Sequence, residues 1–349
     1  MTNDARTKIA KMAVLSQRRP LLLIVLAVAL FGAAFFLNPD ALISLGPFRK
    51  SLTSDNELTR NTAELTLTGL RVLCGIAGIL LGAALTFWPR FVASAPMQAL
   101  ASHAVPEREI RFLGTIRNRS FAVAIVMCIG WFAYVALSPA WVDYDMRRWI
   151  SSENGIVERG TALLFLASSI TAFVSVRRMR RNRALYHTRR VVWLGLLGLF
   201  FFLCFGEEIS WGQRIFGIET LDLMKGVNVQ NENNLHNLAG YFADHAFIAG
   251  VFLYGTVLPL LAGRVVFWRR ALRWLGLPIA SMGLAIGFAV ASGIHDWTLY
   301  WVLPETELRA AELRELLTGV CFFLLTLESL KVASFAKADP EAKASSSVA

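Results

Sequence analysis

The stretch VVWLGLLGLFFFLCFGEEISWGQR, Val191–Arg214, opens as an unbroken apolar run and closes in a polar cluster. The run is long enough, read as a helix over 190–206, to cross the roughly 30 Å hydrocarbon layer of a membrane. Carboxylates, an amide and an arginine packed against such a run are costly to bury, so they mark a candidate site. A second polar run follows at 228–238, Asn-Val-Gln-Asn-Glu-Asn-Asn-Leu-His-Asn-Leu.

Working outward, the whole chain has the same apolar character. Of its 349 residues 55% are hydrophobic, and the mean hydropathy is +0.51, which suits a polytopic membrane protein rather than a soluble domain. Eight runs have spanning length: 20–38, 67–88, 120–139, 157–176, 190–206, 243–263, 274–293 and 314–333. The expected fold is therefore all-α, a polytopic membrane helix bundle. Residues 1–90 form an N-terminal segment and a peripheral helix pair, 91–119 a cytoplasmic linker, 120–335 a six-helix core, and 336–349 a disordered tail. The apolar stretch after Arg18-Arg19 is expected to be a first anchor rather than a cleaved signal peptide. Gly75, Gly78 and Gly82 stand at close-packing spacing on the second span.

Charge orients the bundle. The net charge of +10 is spread over short clusters between spans, which argues against a nucleic-acid partner. The N-terminus, the segments 88–119, 177–190 and 264–273, and the C-terminus counted from Lys331 hold 24 basic and 5 acidic residues; the opposite segments hold 9 basic and 19 acidic. Both termini are expected to be cytoplasmic by the positive-inside rule. The four cysteines lie inside apolar runs without ligand-pair spacing, so neither a disulfide nor a cysteine metal site is expected.

This orientation gathers the candidate residues at the outer face. If the fifth helix continues through Gln213, Glu207 and Trp211 share one face and Glu208 and Gly212 another. A partly buried carboxylate can act as acid or base, and Glu208, Glu207 and Glu158 are the candidates. Glu158 enters its apolar run directly, where a helix-start charge is the plainer explanation. Glu312 and Glu315, three apart and close to the membrane, are able to join them. His236, in the first turn of the sixth helix, His295-Asp296 at the end of the seventh, and Glu232 are candidate ligands for a zinc ion. Arg214, Arg147, Trp211, Gln213, Gln230 and Asn237 are candidate substrate contacts, the arginines for an anionic headgroup. Glu328, near the cytoplasmic end with Lys331 three residues on, is able to snorkel or pair and receives no role.

The motifs Glu-Glu-Ile-Ser-Trp-Gly-Gln-Arg at 207–214 and Asn-x-Gln-x-Glu-x-Asn-Leu-His-Asn at 228–237 resemble those of a family of uncharacterised bacterial multipass membrane proteins. The resemblance implies a shared architecture and site, and no reaction; Asn231 stands where that pattern has a small residue. More loosely, His, Asp and Glu near one face of a multipass bundle are similar to the membrane hydrolases that include alkaline ceramidases. The expected function is a hydrolase or transferase of the bacterial inner membrane. It would act on a lipid or lipid-linked substrate from the periplasmic side, with zinc as its possible cofactor and membrane lipids as its partners. A proton- or cation-coupled transporter and a non-catalytic assembly factor are the alternatives, and the sequence assigns no oligomeric state.

Overall fold

The computed structural model describes residues 20–40, 52–55, 57–87, scattered positions between 90 and 130, 143–150, 155–181, 188–220, 241–294 and 310–335. All regular structure among the described residues is helical. Among the described residues five stretches are long and apolar enough to cross a membrane: Ala63–Ala83, Ile156–Arg181, Thr188–Glu208, Ala246–Arg264 and Ala311–Ala333. The chain is a multi-pass membrane protein. It divides into two units, Met1–Ala99 with Asn237–Ala243, and Leu100–His236 with Asp244–Ala349.

In the first unit α1 (Pro20–Phe36) packs along α2 (Glu57–Thr86). Of the three spaced glycines on α2, only Gly78 meets its neighbour: a Cβ there would lie 3.1 Å from the Phe31 ring, whereas Gly75 and Gly82 face open space. The Arg71 guanidinium donates to the Ala34 carbonyl at 3.2 Å, so its charge is met by a backbone oxygen near the end of α1.

The second unit begins with α3 (Tyr144–Ile150) and is built on α4 (Ile156–Arg181), which packs along both α5 (Thr188–Glu208) and α11 (Ala310–Phe335). Between α5 and α11 lie a 3-10 turn (Ser210–Gly212), α6 (Gln213–Phe216), α7 (Tyr241–Phe252), a π-turn (Leu253–Val257), α8 (Leu258–Arg264), α9 (Val266–Leu275) and α10 (Met282–Gly293). The core is aromatic. Phe165, Phe201, Phe288 and Phe322 meet at its centre, with ring centroids 4.9 Å apart for Phe201 and Phe322 and 5.1 Å for Phe288 and Phe322. In a lipid environment apolar burial alone does not drive association, so this dispersion contact and the interhelical hydrogen bonds hold the bundle. One such bond runs from the Ser169 hydroxyl on α4 to the Gly198 carbonyl on α5, at 2.8 Å.

The span expected over 274–293 is not one helix. Gly276 takes φ +75 and closes α9 in a Schellman motif, with Leu277 N–H on the Leu272 carbonyl and Gly276 N–H on the Arg273 carbonyl. Residues 277–281 then run non-helically, because Pro278 lacks the N–H that a continuing helix needs. The apolar helix that follows, α10, has only 12 residues, about 18 Å of rise. Its N-cap, Ser281, accepts from the Leu284 N–H at 3.4 Å and is itself held from another helix. The Ser281 hydroxyl donates to Glu328 Oε1 at 2.6 Å, and Ser281 N–H donates to Oε2 at 3.1 Å. Among the described residues this explains why Glu328, on α11, is only 4% exposed. It caps a broken segment instead of snorkelling.

The break is anchored from α7 and its π-turn. The Tyr254 hydroxyl donates to the Pro278 carbonyl, and the Thr256 hydroxyl donates to the Ala285 carbonyl at 3.1 Å. Gly255 lies under Phe288 so closely that a Cβ would be 2.3 Å from the ring. Replacing Gly255 by Ala should therefore overpack this joint at a cost of about 1–3 kcal/mol and lower the melting temperature in detergent. Gly250→Ala, where nothing lies within 4 Å, should leave it unchanged; equal melting temperatures for the two variants would refute the packing described.

Candidate functional site

The polar motif that ends α5 folds back on itself rather than extending the helix to Gln213. α5 stops at Glu208, and Ser210 and Trp211 take φ +46 and +52, a left-handed backbone that costs a non-glycine residue on the order of 1 kcal/mol or more. Gly212 continues the turn at φ +83, where only glycine is unstrained. The reversal lays the Trp211 ring over Gly206, whose missing side chain makes the room: a Cβ would lie 2.9 Å from several ring atoms. The indole N–H then donates to Glu207 Oε1 at 2.7 Å. So Glu207 and Trp211 do meet, through a turn and not through helical spacing. Beyond the turn, Gln213 donates to the Thr220 hydroxyl at 3.0 Å, which closes the loop.

With Glu207 held by Trp211, the neighbouring Glu208 is turned toward the bundle. It interacts electrostatically with Glu315, Glu312, Glu158 and Glu207, in that order of strength. The packing of α4 between α5 and α11 explains the convergence. Glu158 is in the first turn of α4 and Glu312 in the first turn of α11, and the last turn of α5 carries Glu207 and Glu208. Glu312 and Glu315 share one face of α11. The Cys204 thiol, one turn before Glu208, also lies within reach of Glu208, Glu207 and Glu315. Glutamates from three helix ends thus lie within electrostatic range of Glu208.

Positive charge stands on another face of α11. Arg314 is 4% exposed and donates to the Ile294 carbonyl at 3.3 Å, just past α10. With Phe247, Ile248, Val251, Ser292 and Thr318 it lines a crevice too tight for a water molecule. The Ser292 hydroxyl in that crevice is buried without a hydrogen-bond partner among the described residues. In the sequence Arg314 stands between Glu312 and Glu315, a pattern that looks like a solvated helix start.

Of the residues singled out in the sequence, Glu158 and Glu207 lie within electrostatic range of Glu208, as do Glu312 and Glu315. Trp211 and Gln213 shape the turn beside them. Arg147 and Arg214 lie on α3 and α6. Gln230, Glu232, His236, Asn237, His295 and Asp296 lie outside the described residues; Ile294, bound to Arg314, directly precedes His295. Among the described residues no group of three or more His, Cys, Asp or Glu side chains is arranged to hold a metal ion.

No family model matches the chain, and neither the curated proteins nor the solved structures contain a match to it.

The turn itself is testable. Trp211→Phe keeps a ring over Gly206 but removes the donor to a carboxylate, which should cost about 1.5–3 kcal/mol. Gly206→Ala should displace the ring and shift the tryptophan emission. An unchanged melting curve and emission spectrum in both variants would contradict this arrangement.

Proposed function

We propose that the protein is an integral membrane hydrolase or transferase whose Glu208 is the acid–base group for a lipid or lipid-linked substrate. The observation that carries this reading is the convergence of Glu158, Glu207, Glu312 and Glu315 on Glu208, next to a strained turn that fixes Glu207 on Trp211. Strain and converging carboxylates in one place are a pattern of functional sites. Glu208 would take the proton of the attacking water or hydroxyl and return it to the leaving group. The carboxylates around it would share the proton meanwhile. Arg214 and Arg147 would hold an anionic headgroup. Zinc, held by His236 and His295 with Glu232 or Asp296, would polarise the scissile bond; that part of the proposal rests on sequence.

The proposed topology has eight spans, with both termini on the cytoplasmic side of a bacterial inner membrane and the carboxylate centre facing the periplasm. Arginines at the end of α4 and the start of α5, against glutamates at the opposite ends of the same helices, support this orientation. The resemblance to uncharacterised bacterial membrane proteins and the looser similarity to alkaline ceramidases are consistent with it as analogy.

One feature favours a second reading, proton- or cation-coupled transport. The broken segment before α10, with Glu328 at its helix start, is of the kind that transporters use to bind ions within the membrane.

Purified wild type and Glu208→Gln, incubated with a total bacterial lipid extract, separate the two. The enzyme reading expects at least one lipid species to be consumed by wild type, at a rate reduced about 100-fold or more in the variant, with melting temperatures matched. No lipid turnover, together with a proton flux into proteoliposomes that Glu208→Gln abolishes, would replace it with transport.

A further inference from the structure

The helix α9, Val266-Phe-Trp-Arg-Arg-Ala-Leu-Arg-Trp-Leu275, is strongly two-sided. At 100° per residue Arg269, Arg270 and Arg273 fall within one arc of about 100°, while Phe267, Trp268, Ala271, Leu272, Trp274 and Leu275 fill the other side. Leu272 on that apolar side is buried.

Both ends of α9 are fastened to the same end of the bundle. At its start the chain turns at Val265 (φ −116, ψ 111), and the Arg269 guanidinium bridges back to the last carbonyls of α8, Ala262 and Gly263, each at 2.8 Å. Those carbonyls close the span Ala246–Arg264. At its finish the Arg189 guanidinium donates to the Trp274 carbonyl at 3.0 Å and lies 4.0 Å from the centre of the Trp274 ring. Gly276 then abuts the backbone of Arg189 and Arg190, 2.7 Å from where its Cβ would be. Arg189 and Arg190 open the span Thr188–Glu208. A helix tied at one end to where a span finishes and at the other to where a span starts, on one side of the membrane, runs along that surface and not across it.

Arginines crowd the same end of the bundle. Arg177, Arg178, Arg180 and Arg181 end α4, the chain reaches α5 again within seven residues, and Arg264 closes α8. Tryptophans at both ends of a basic surface helix are the composition of an in-plane membrane helix, where indole rings sit at headgroup level.

We propose that α9 is an interfacial helix that binds anionic phospholipid headgroups, with Arg270 and Arg273 as the residues that face the lipid phosphates. Arg269 is committed to the α8 carbonyls and holds the helix in the plane. The site lies on the arginine-rich end of α4 and α5, and so stands apart from the carboxylate centre.

The test uses the full-length protein in membranes of phosphatidylcholine, with spin-labelled phosphatidylglycerol or phosphatidylcholine as the probe. Phosphatidylglycerol should be enriched at the protein about threefold or more over phosphatidylcholine, and the preference should fall toward one as salt is raised. Arg270→Gln/Arg273→Gln should remove most of that preference. Equal association of the two lipids with wild type, or a preference that salt does not weaken, would overturn the proposal. So would a folded double variant with full preference. Should that variant not fold, the wild-type selectivity and its salt dependence decide alone.

Discussion

The hydrogen bond from the Trp211 indole to Glu207 is the constraint on which the site depends. It exists because α5 ends in a reversal that only Gly206 and Gly212 allow, one by leaving room for a ring and the other by taking a left-handed backbone. Two adjacent carboxylates at a helix end cannot serve the same neighbour. Engaging Glu207 with tryptophan leaves Glu208 to face α4 and α11, and the strained backbone at Ser210 and Trp211 is retained because the packing on both sides requires it.

From there the polar accounting of the bundle follows one rule: a hydrogen-bonding group inside an apolar assembly must find its partner within the protein. Ser169 finds the Gly198 carbonyl, Thr256 the Ala285 carbonyl and Glu328 the N-cap residue of a half-length helix. These bonds join different helices, so they fix rotation as well as contact. α11 carries both polar centres, Glu312 and Glu315 near its start and Glu328 about 20 Å further along its axis. A single rigid helix, packed on α4 throughout, thus connects the carboxylate cluster with the broken segment.

How much of this could be read in the sequence varied with the kind of signal. Hydropathy marks spans well because it sums over twenty residues, and the runs at 157–176, 190–206, 243–263 and 314–333 all lie in helices of spanning character. The same averaging hides a break. Gly276 and Pro278 stand inside an apolar run, and 274–293 reads as one span although its first part belongs to α9 and its last to α10. The motif at 206–214 was legible as a site from its density of polar groups, but not its shape, since the reversal depends on a ring fitting over a glycine. Arg314 and Glu328 were hidden in opposite ways. Arg314 lies among charges that resemble a solvated helix, and Glu328 lies near enough to a helix end to suggest snorkelling, while their burial comes from partners far away in sequence. The histidines carry the most suggestive sequence signal for a metal, and His236 and His295 lie outside the described residues.

The central claim is that glutamates from three helices form one site. The most direct measurement is cross-linking in native membranes with a short bifunctional thiol reagent. Cysteines would replace Glu208 with Glu315, and Glu208 with Glu158, in a chain whose four natural cysteines have been substituted. Ser169→Cys/Gly198→Cys serves as a positive control, given the 2.8 Å bond between those positions. The account predicts that both glutamate pairs cross-link as readily as the control. Cross-linking of the control alone would mean that Glu208 does not face α4 and α11, and the acid–base site would have to be abandoned.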